Sequence, residues 1–201
     1  MNHHTISEIS LAVNKARLPV FFELLATGLY VEAGTGESIR SLLEGRLGLG
    51  ADYVEANVQT VFLNGRAVDD FDRTTVSEDA VIALSSAMPG LVGAVFRRQS
   101  PLGSMRGVSA EAGTAPSEAT ADCRVMVKLF NRVAADVGPG WLAAGVRVPA
   151  GRLADFLGSH SELASYEASV DGRVSGVPEI LAMLKTGEEE VRLCVTPKMS
   201  P

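Results

Sequence analysis

The sequence predicts an α+β protein of two tandem modules, each a mixed sheet with a helix packed on one face. Three observations carry that expectation. Short runs alternate apolar and polar residues, and between them apolar residues recur at helical spacing, the two periods such an order needs. The halves of the chain repeat each other: residues 24–34, LLATGLYVEAG, align with residues 141–151, WLAAGVRVPAG, and six of the eleven positions are identical. Matching tight-turn dipeptides, Asn64-Gly65 and Asp171-Gly172, then follow in the same order.

Ile9, Leu11 and Val13 share a face in the first half, as Val125, Val127 and Leu129 do in the second, and period two makes each run a strand with one buried side. A short helical or irregular connection follows over 19–25 and 132–142, with Gly28 and Gly145 placed to end it. Residues 30–33 and 146–148 read as second strands. After them Ile39, Leu42 and Leu43, and likewise Leu153, Phe156 and Leu157, fall at i, i+3, i+4, the stripe of an amphipathic helix. Thr35 or Ser38 is available to cap the first of these, and Gly48 and Gly50 to end it. Asn64-Gly65 and Asp171-Gly172 tolerate positive φ at both central turn positions and so mark hairpins. Last strands are expected at 80–84 and 191–195, each after an acidic cluster that belongs in a turn. Phe21, Phe22 and Trp141, large and apolar on helical connections, are assigned to the core.

Residues 109–121, SAEAGTAPSEATA, contain no Val, Ile, Leu, Met or aromatic side chain and cannot offset backbone entropy by burial. Residues 97–106, RRQSPLGSMR, are rich in Gly, Pro and Ser, which argues that regular structure has ended there. The expected organisation is therefore a first domain over 1–96, a flexible linker over 97–122 and a second, more divergent domain over 123–201.

With 46% hydrophobic and 21% charged residues, the 201-residue chain is composed like a globular protein and not like a disordered or coiled-coil one. A net charge of -6 disfavours nucleic acid and anionic lipid as partners. Cys123 and Cys194 are too few for a disulfide framework and form no C-x-x-C pair, which predicts reduced thiols in a cytoplasm. No basic leader precedes an apolar run, and the most apolar early stretch, 20–31, is interrupted by Glu23, so neither export signal nor membrane span is expected. His3 and His4 have no third ligand nearby.

Chemistry-bearing patterns are thin. His160, between Ser159 and Ser161 and past the helix, reads as a solvated loop residue and not as part of a triad. Asp69, Asp70 and Asp72 follow the Asn-Gly turn without the loop spacing of a calcium site, and they read as a solvated turn, as do Glu188, Glu189 and Glu190. No catalytic, cofactor-binding or metal-ligating residue is expected, and no cofactor. Residues 89–96, PGLVGAVF, are apolar where a domain tail should turn polar, and Arg97 and Arg98 follow at once, which marks a contact site or a tail packed back on the sheet or against the other repeat.

These segments resemble the ubiquitin-like β-grasp domains of the MoaD/ThiS sulfur-carrier family, over residues 7–90 and again over 123–201. The first resemblance rests on VFLNGRAVDDFDRTTVSEDAVIALSSAMPG, 61–90, and the second on YEASVDGRVS, 166–175, with LKTGEEEVRLCVTP, 184–197. The resemblance implies a carrier that works through a C-terminal Gly-Gly adenylated by an activating enzyme. This chain has no Gly-Gly: the second copy ends Met199-Ser200-Pro201, and the first runs through Met88-Pro89-Gly90 into further chain. Residues 145–157, GVRVPAGRLADFL, are also similar to the histidine phosphocarriers, but Val146 or Arg147 stands where the active histidine would be. The functional expectation is thus a non-catalytic cytoplasmic adaptor that binds a protein partner through Met88, Pro89, Gly90, Gly93, Arg97 and Arg98. The alternative is a sulfur carrier for molybdopterin- or thiamine-type cofactor biosynthesis, matured by cleavage after Gly90 or Gly93 and served by an activating enzyme.

Overall fold

The computed structural model describes residues 8–87, 90–106, 121–185 and 189–198. In chain order the first elements are β1 (Glu8–Val13), α1 (Phe21–Thr27), β2 (Leu29–Gly34), α2 (Ile39–Ser41), α3 (Ala51–Asn57), β3 (Thr60–Leu63), β4 (Arg66–Ala67), β5 (Val81–Ser85) and α4 (Gly90–Phe96). There follow β6 (Asp122–Leu129), α5 (Asn131–Ala144), β7 (Val146–Pro149), α6 (Ala150–Ser159), β8 (Glu167–Val170), β9 (Arg173–Val174), α7 (Val177–Leu184) and β10 (Glu190–Pro197). The class is α+β, as the periodicities predict.

The chain divides into a central unit, Tyr30–Ala134, and a terminal unit built from Met1–Leu29 together with Ala135–Pro201. That division does not follow the expected boundaries at 96 and 123. β1 pairs in parallel with β10 and antiparallel with β8, Ile9 lying opposite Leu193 and Val170. β6 pairs in parallel with β5, Val127 opposite Ile82. The first strand of each half is thus bonded to strands of the other half. The physical reason is that β1, β5, β6 and β10 each bury one alternating apolar face, from Ile9, Leu11 and Val13 to Leu193 and Val195, and period two fixes the face but not the neighbour.

Within the central unit the strands lie in the order β4-β3-β5-β6-β2, with β3 antiparallel to both β4 and β5. Within the terminal unit the order is β7-β10-β1-β8-β9, with β10 antiparallel to β7 and β8 antiparallel to β9. The strands of each unit comprise a hairpin, a central parallel pair and an outer strand. Both hairpins turn at the expected dipeptides: φ is +50° at Asn64 and +79° at Gly65, and +48° at Asp171 and +78° at Gly172. These values sit in the left-handed region that Asn, Asp and Gly tolerate.

Local signals account for the helices around the sheets. Ser38 Oγ accepts from Ser41 N (3.1 Å) and starts α2, which runs into a π-turn at Leu42–Arg46 and buries Ile39, Leu42 and Leu43. Gly28 and Gly145, at φ +123° and +94°, end α1 and α5. In α6 the stripe of Leu153, Phe156 and Leu157 is buried. Phe21 is fully buried; Phe22 and Trp141 are half-buried.

Four segments carry more structure than the sequence suggests. The connection after β6 is the fourteen-residue helix α5, despite Pro139 inside it. The apolar tail forms α4, the stretch after Gly50 forms α3, and α7 fills the interval after β9, for which no element was expected. In α7 the Glu179 carboxylate accepts from Gly176 N (3.2 Å) at the helix start and Pro178 occupies the first turn, a start signal the sequence displays. The linker core, 107–120, lies outside the described residues.

Candidate functional site

Of the residues expected to meet a partner, Met88 and Pro89 lie outside the described residues. Gly90, at φ +79°, is exposed and opens α4, whereas Gly93 is buried within that helix and its carbonyl accepts from Arg97 N (3.0 Å). The segment after α4 is hydrogen-bonded back to the rest of the central unit. Arg98 N donates to Gln59 O (2.8 Å), the Arg98 guanidinium lies 4.5 Å from the Phe71 ring centroid, and its Nη2 reaches Glu55 Oε2 at 2.5 Å. Gln99 N donates to Asp69 Oδ1 (3.2 Å).

The anchor is Arg106. Its side chain is 1% exposed and divides its donors among three acceptors: Nε to Val95 O (2.6 Å), Nη2 to Arg97 O (2.5 Å) and Nη1 to Asp69 Oδ2 (2.6 Å). The two carbonyls belong to the C-terminal end of α4, which leaves acceptors unsatisfied and carries partial negative charge. A planar guanidinium matches several acceptors at once where an ammonium would not. No spacing rule advertises such a residue; its one sequence signal is a lone Arg at the end of a Gly, Pro and Ser stretch.

This anchoring leaves apolar side chains outside. Leu91 and Val92 on α4 are 64% and 65% exposed, and Met105 in the following turn is 62% exposed. Arg97 beside them is exposed. Nearby carboxylates are already engaged: Asp69 by Arg106, Asp72 by Arg40 (2.6 Å) and Glu55 by both Arg98 and Arg40. The Arg98 hydrogen bond, seconded by that of Arg40, holds the Glu55 carboxyl below the usual carboxylate range. Arg40 is raised further above its already high value, chiefly by its hydrogen bond to Asp72. The acidic turn after the first hairpin is therefore a fastening point and not merely a solvated loop. Asp70 closes the turn on itself, its Oδ1 accepting from Asp72 N and Arg73 N.

The terminal unit holds a cleft of about 310 Å³ between α1 and α6, lined by Glu23, Thr27, Arg152, Asp155, Phe156, Ser159 and His160. His160 is not the solvated loop residue the sequence suggests: it is 16% exposed, its ring centroid lies 4.4 Å from that of Phe156, and Nε2 is 3.5 Å from Glu23 Oε2. Its Nδ1 is 2.9 Å from Phe156 O. A carbonyl only accepts, so Nδ1 carries the proton in that contact. Ser159 Oγ donates back along the helix to Asp155 O or Phe156 O (2.9 and 3.0 Å) and meets the same Nδ1 at 3.3 Å. With the proton on Nδ1 the ring donates to Phe156 O, and with the proton on Nε2 it faces Glu23 and leaves Nδ1 to accept from Ser159 Oγ.

Among the described residues no group of three or more His, Cys, Asp or Glu is placed to hold a metal ion, and no helix is long and apolar enough to cross a membrane. Compared with protein-family models, curated proteins and solved structures, the chain matches none.

Proposed function

We propose that this chain is a non-catalytic protein-interaction module of two MoaD/ThiS-like β-grasp units, and that it holds its partner on α4 and the turn that follows. The observation that carries the proposal is the presentation of Leu91, Val92 and Met105: large apolar side chains stay exposed on a segment whose backbone a buried Arg106 holds at Val95 O and Arg97 O and ties to the Asp69 carboxylate. Fixing the segment beforehand removes ordering cost from association, and exposed apolar clusters mark contact surfaces. Arg97 at the rim favours a partner that surrounds its apolar contact with carboxylates. The β-grasp reading is supported by the hairpin, the central parallel pair and the outer strand found in each unit, with a helix joining outer strand to hairpin. The adaptor reading is supported over the carrier by the placement of Gly93 inside α4, where cleavage would have to unwind a helix.

Affinity capture of the full-length protein from its native cells tests this, read beside intact mass. A stoichiometric protein partner retained by the wild type and lost by a Leu91→Asp, Val92→Asp double variant, which keeps the wild-type circular dichroism spectrum, is the expected result. A partner held equally by the variant overturns the proposed surface. Recovery of a species ending at Gly90 or Gly93, or one bearing added sulfur, favours the carrier instead.

A further inference from the structure

We propose that the cleft between α1 and α6 is a subsite for an organic cation with an apolar body, the chemistry shared by a free aralkylamine and by a basic side chain of a partner protein. Two contacts that cross from one helix to the other frame the cleft: Arg152 Nη1 donates to Thr27 O at one place, and His160 Nε2 faces Glu23 Oε2 at another. Phe156 forms an aromatic wall, buttressed by the Phe21 ring at a centroid distance of 5.2 Å and by His160 at 4.4 Å. The Phe156 ring is itself 7% exposed between those two neighbours, so it gives the cleft an apolar floor for a ligand's body, and a ligand's charge is met by the carboxylates at the rim.

The charges select the sign. Carboxylates come from both helices, Glu23 from α1 and Asp155 from α6, and the Asp155 carboxylate has no side-chain partner among the described residues. Glu23 is 73% exposed and its pairing with His160 is long, so a cation can compete for it at small cost. The Arg152 guanidinium is turned towards the α1 terminus, where it donates to Thr27 O, a carbonyl of the last helical turn. A volume of about 310 Å³ is at the small end of ligand pockets, which suits one side-chain-sized body. The surface on α4 and this cleft rest on different residues, and each can fail without the other.

The test is titration of the isotope-labelled full-length protein, followed by amide NMR, with 2-phenylethylamine, its neutral counterpart 2-phenylacetamide, and N-acetyl-arginine amide. Saturable shifts confined to α1 and α6 are expected with both cations, the neutral amide binding at least about fivefold more weakly. Glu23→Gln and Asp155→Asn should each weaken amine binding by roughly two- to fivefold. Both positions are exposed, and the spectrum of each variant reports its own folding. Tighter binding of the arginine derivative identifies a partner's basic side chain as the source, and tighter binding of the amine a free metabolite. Absence of saturable shifts, equal binding of the neutral amide, or indifference to both substitutions overturns the proposal.

Discussion

The two hairpin turns dock a neighbouring strand with the same pair of hydrogen bonds, yet they reach along the chain in opposite directions to find it. In the central unit Asn64 N donates to Val81 O and Val81 N donates back to Asn64 Oδ1, both at 2.8 Å. In the terminal unit Asp171 N donates to Glu8 O and Glu8 N to Asp171 Oδ1, both at 2.9 Å. Val81 is 17 residues downstream of its turn, whereas Glu8 is 163 residues upstream of its own. β1 therefore occupies in one sheet the position that β5 occupies in the other, although sequence similarity matches β5 with β10. A position in the sheet is defined by what its backbone groups meet, and chain order is free to differ. Closing the longer loop costs about 2 kcal/mol more from the logarithm of the length ratio, so the two units start from unequal entropic positions.

They are also secured differently. Arg40, Arg98 and Arg106 tie α2, α3, the acidic turn and the end of α4 together in the central unit. In the terminal unit α7 carries the chain from the hairpin to β10, packs beside α6 and buries Val177, Ile180 and Leu184. Breaking that contrast gives ordered expectations. The largest effect should come from expressing residues 1–96 alone: β5 loses β6 and β1 loses both neighbours, so the fragment is expected to show collapsed amide dispersion and no cooperative urea transition. A well-dispersed spectrum would mean that the first half closes its own sheet.

Next in size is Arg106→Ala, which leaves two helix carbonyls and the Asp69 carboxylate short of a donor. A loss of roughly 2–4 kcal/mol in urea denaturation is expected, with faster amide exchange over 90–106 and little change in β1 or β10. On the other side of the comparison, Gly145→Ala should cost about 1–3 kcal/mol. Its φ of +94° disfavours a side chain, and the new Cβ would stand 2.8 Å from Cys194 Sγ and closer still to Arg192. Asn64→Ala and Asp171→Ala should each cost about 1–2 kcal/mol by the loss of the side-chain bond to the docked strand and of a side chain that tolerates positive φ. Only the Asn64 change is expected to slow refolding, because the short loop closes early and the long one late.

The smallest effect is acid sensitivity of the central unit. Glu55 is held below its ordinary value, so the stability it contributes is complete above about pH 4.5 and is lost as the pH falls through the lowered value. The urea midpoint should fall over that interval in the wild type, and the Glu55→Gln variant should lack this share of the fall. An identical profile in the variant would assign the acid response to other carboxylates.

How much of this was legible beforehand depended on how local each signal was. Asn64-Gly65, Asp171-Gly172, Ser38 and Gly28 act through their own backbone and nearest neighbours, and the turns, the cap and the helix end are where these residues put them. The faces of β1, β5, β6 and β10 were equally legible because alternation is local. Their partners were not, since Ile9-Leu11-Val13 and Val125-Val127-Leu129 present interchangeable apolar faces to any strand that arrives. Arg106 escaped notice for a related reason: its role is created by Val95, Arg97 and Asp69, the last of them 37 residues away. His160 looked solvated because Phe156 and Glu23 meet it only once α6 lies against α1.

The exchange of strands between the halves can be tested with a single added thiol. Ser10 lies opposite Cys194 in the parallel register of β1 and β10, and neighbouring strands bring Cα atoms within the range a disulfide spans. Mild oxidation of the Ser10→Cys variant, followed by peptide mass mapping, should recover an intramolecular bridge between residues 10 and 194. If residue 10 instead stays reduced, or is found bridged only between molecules, β1 does not lie beside β10 and the halves have not exchanged strands.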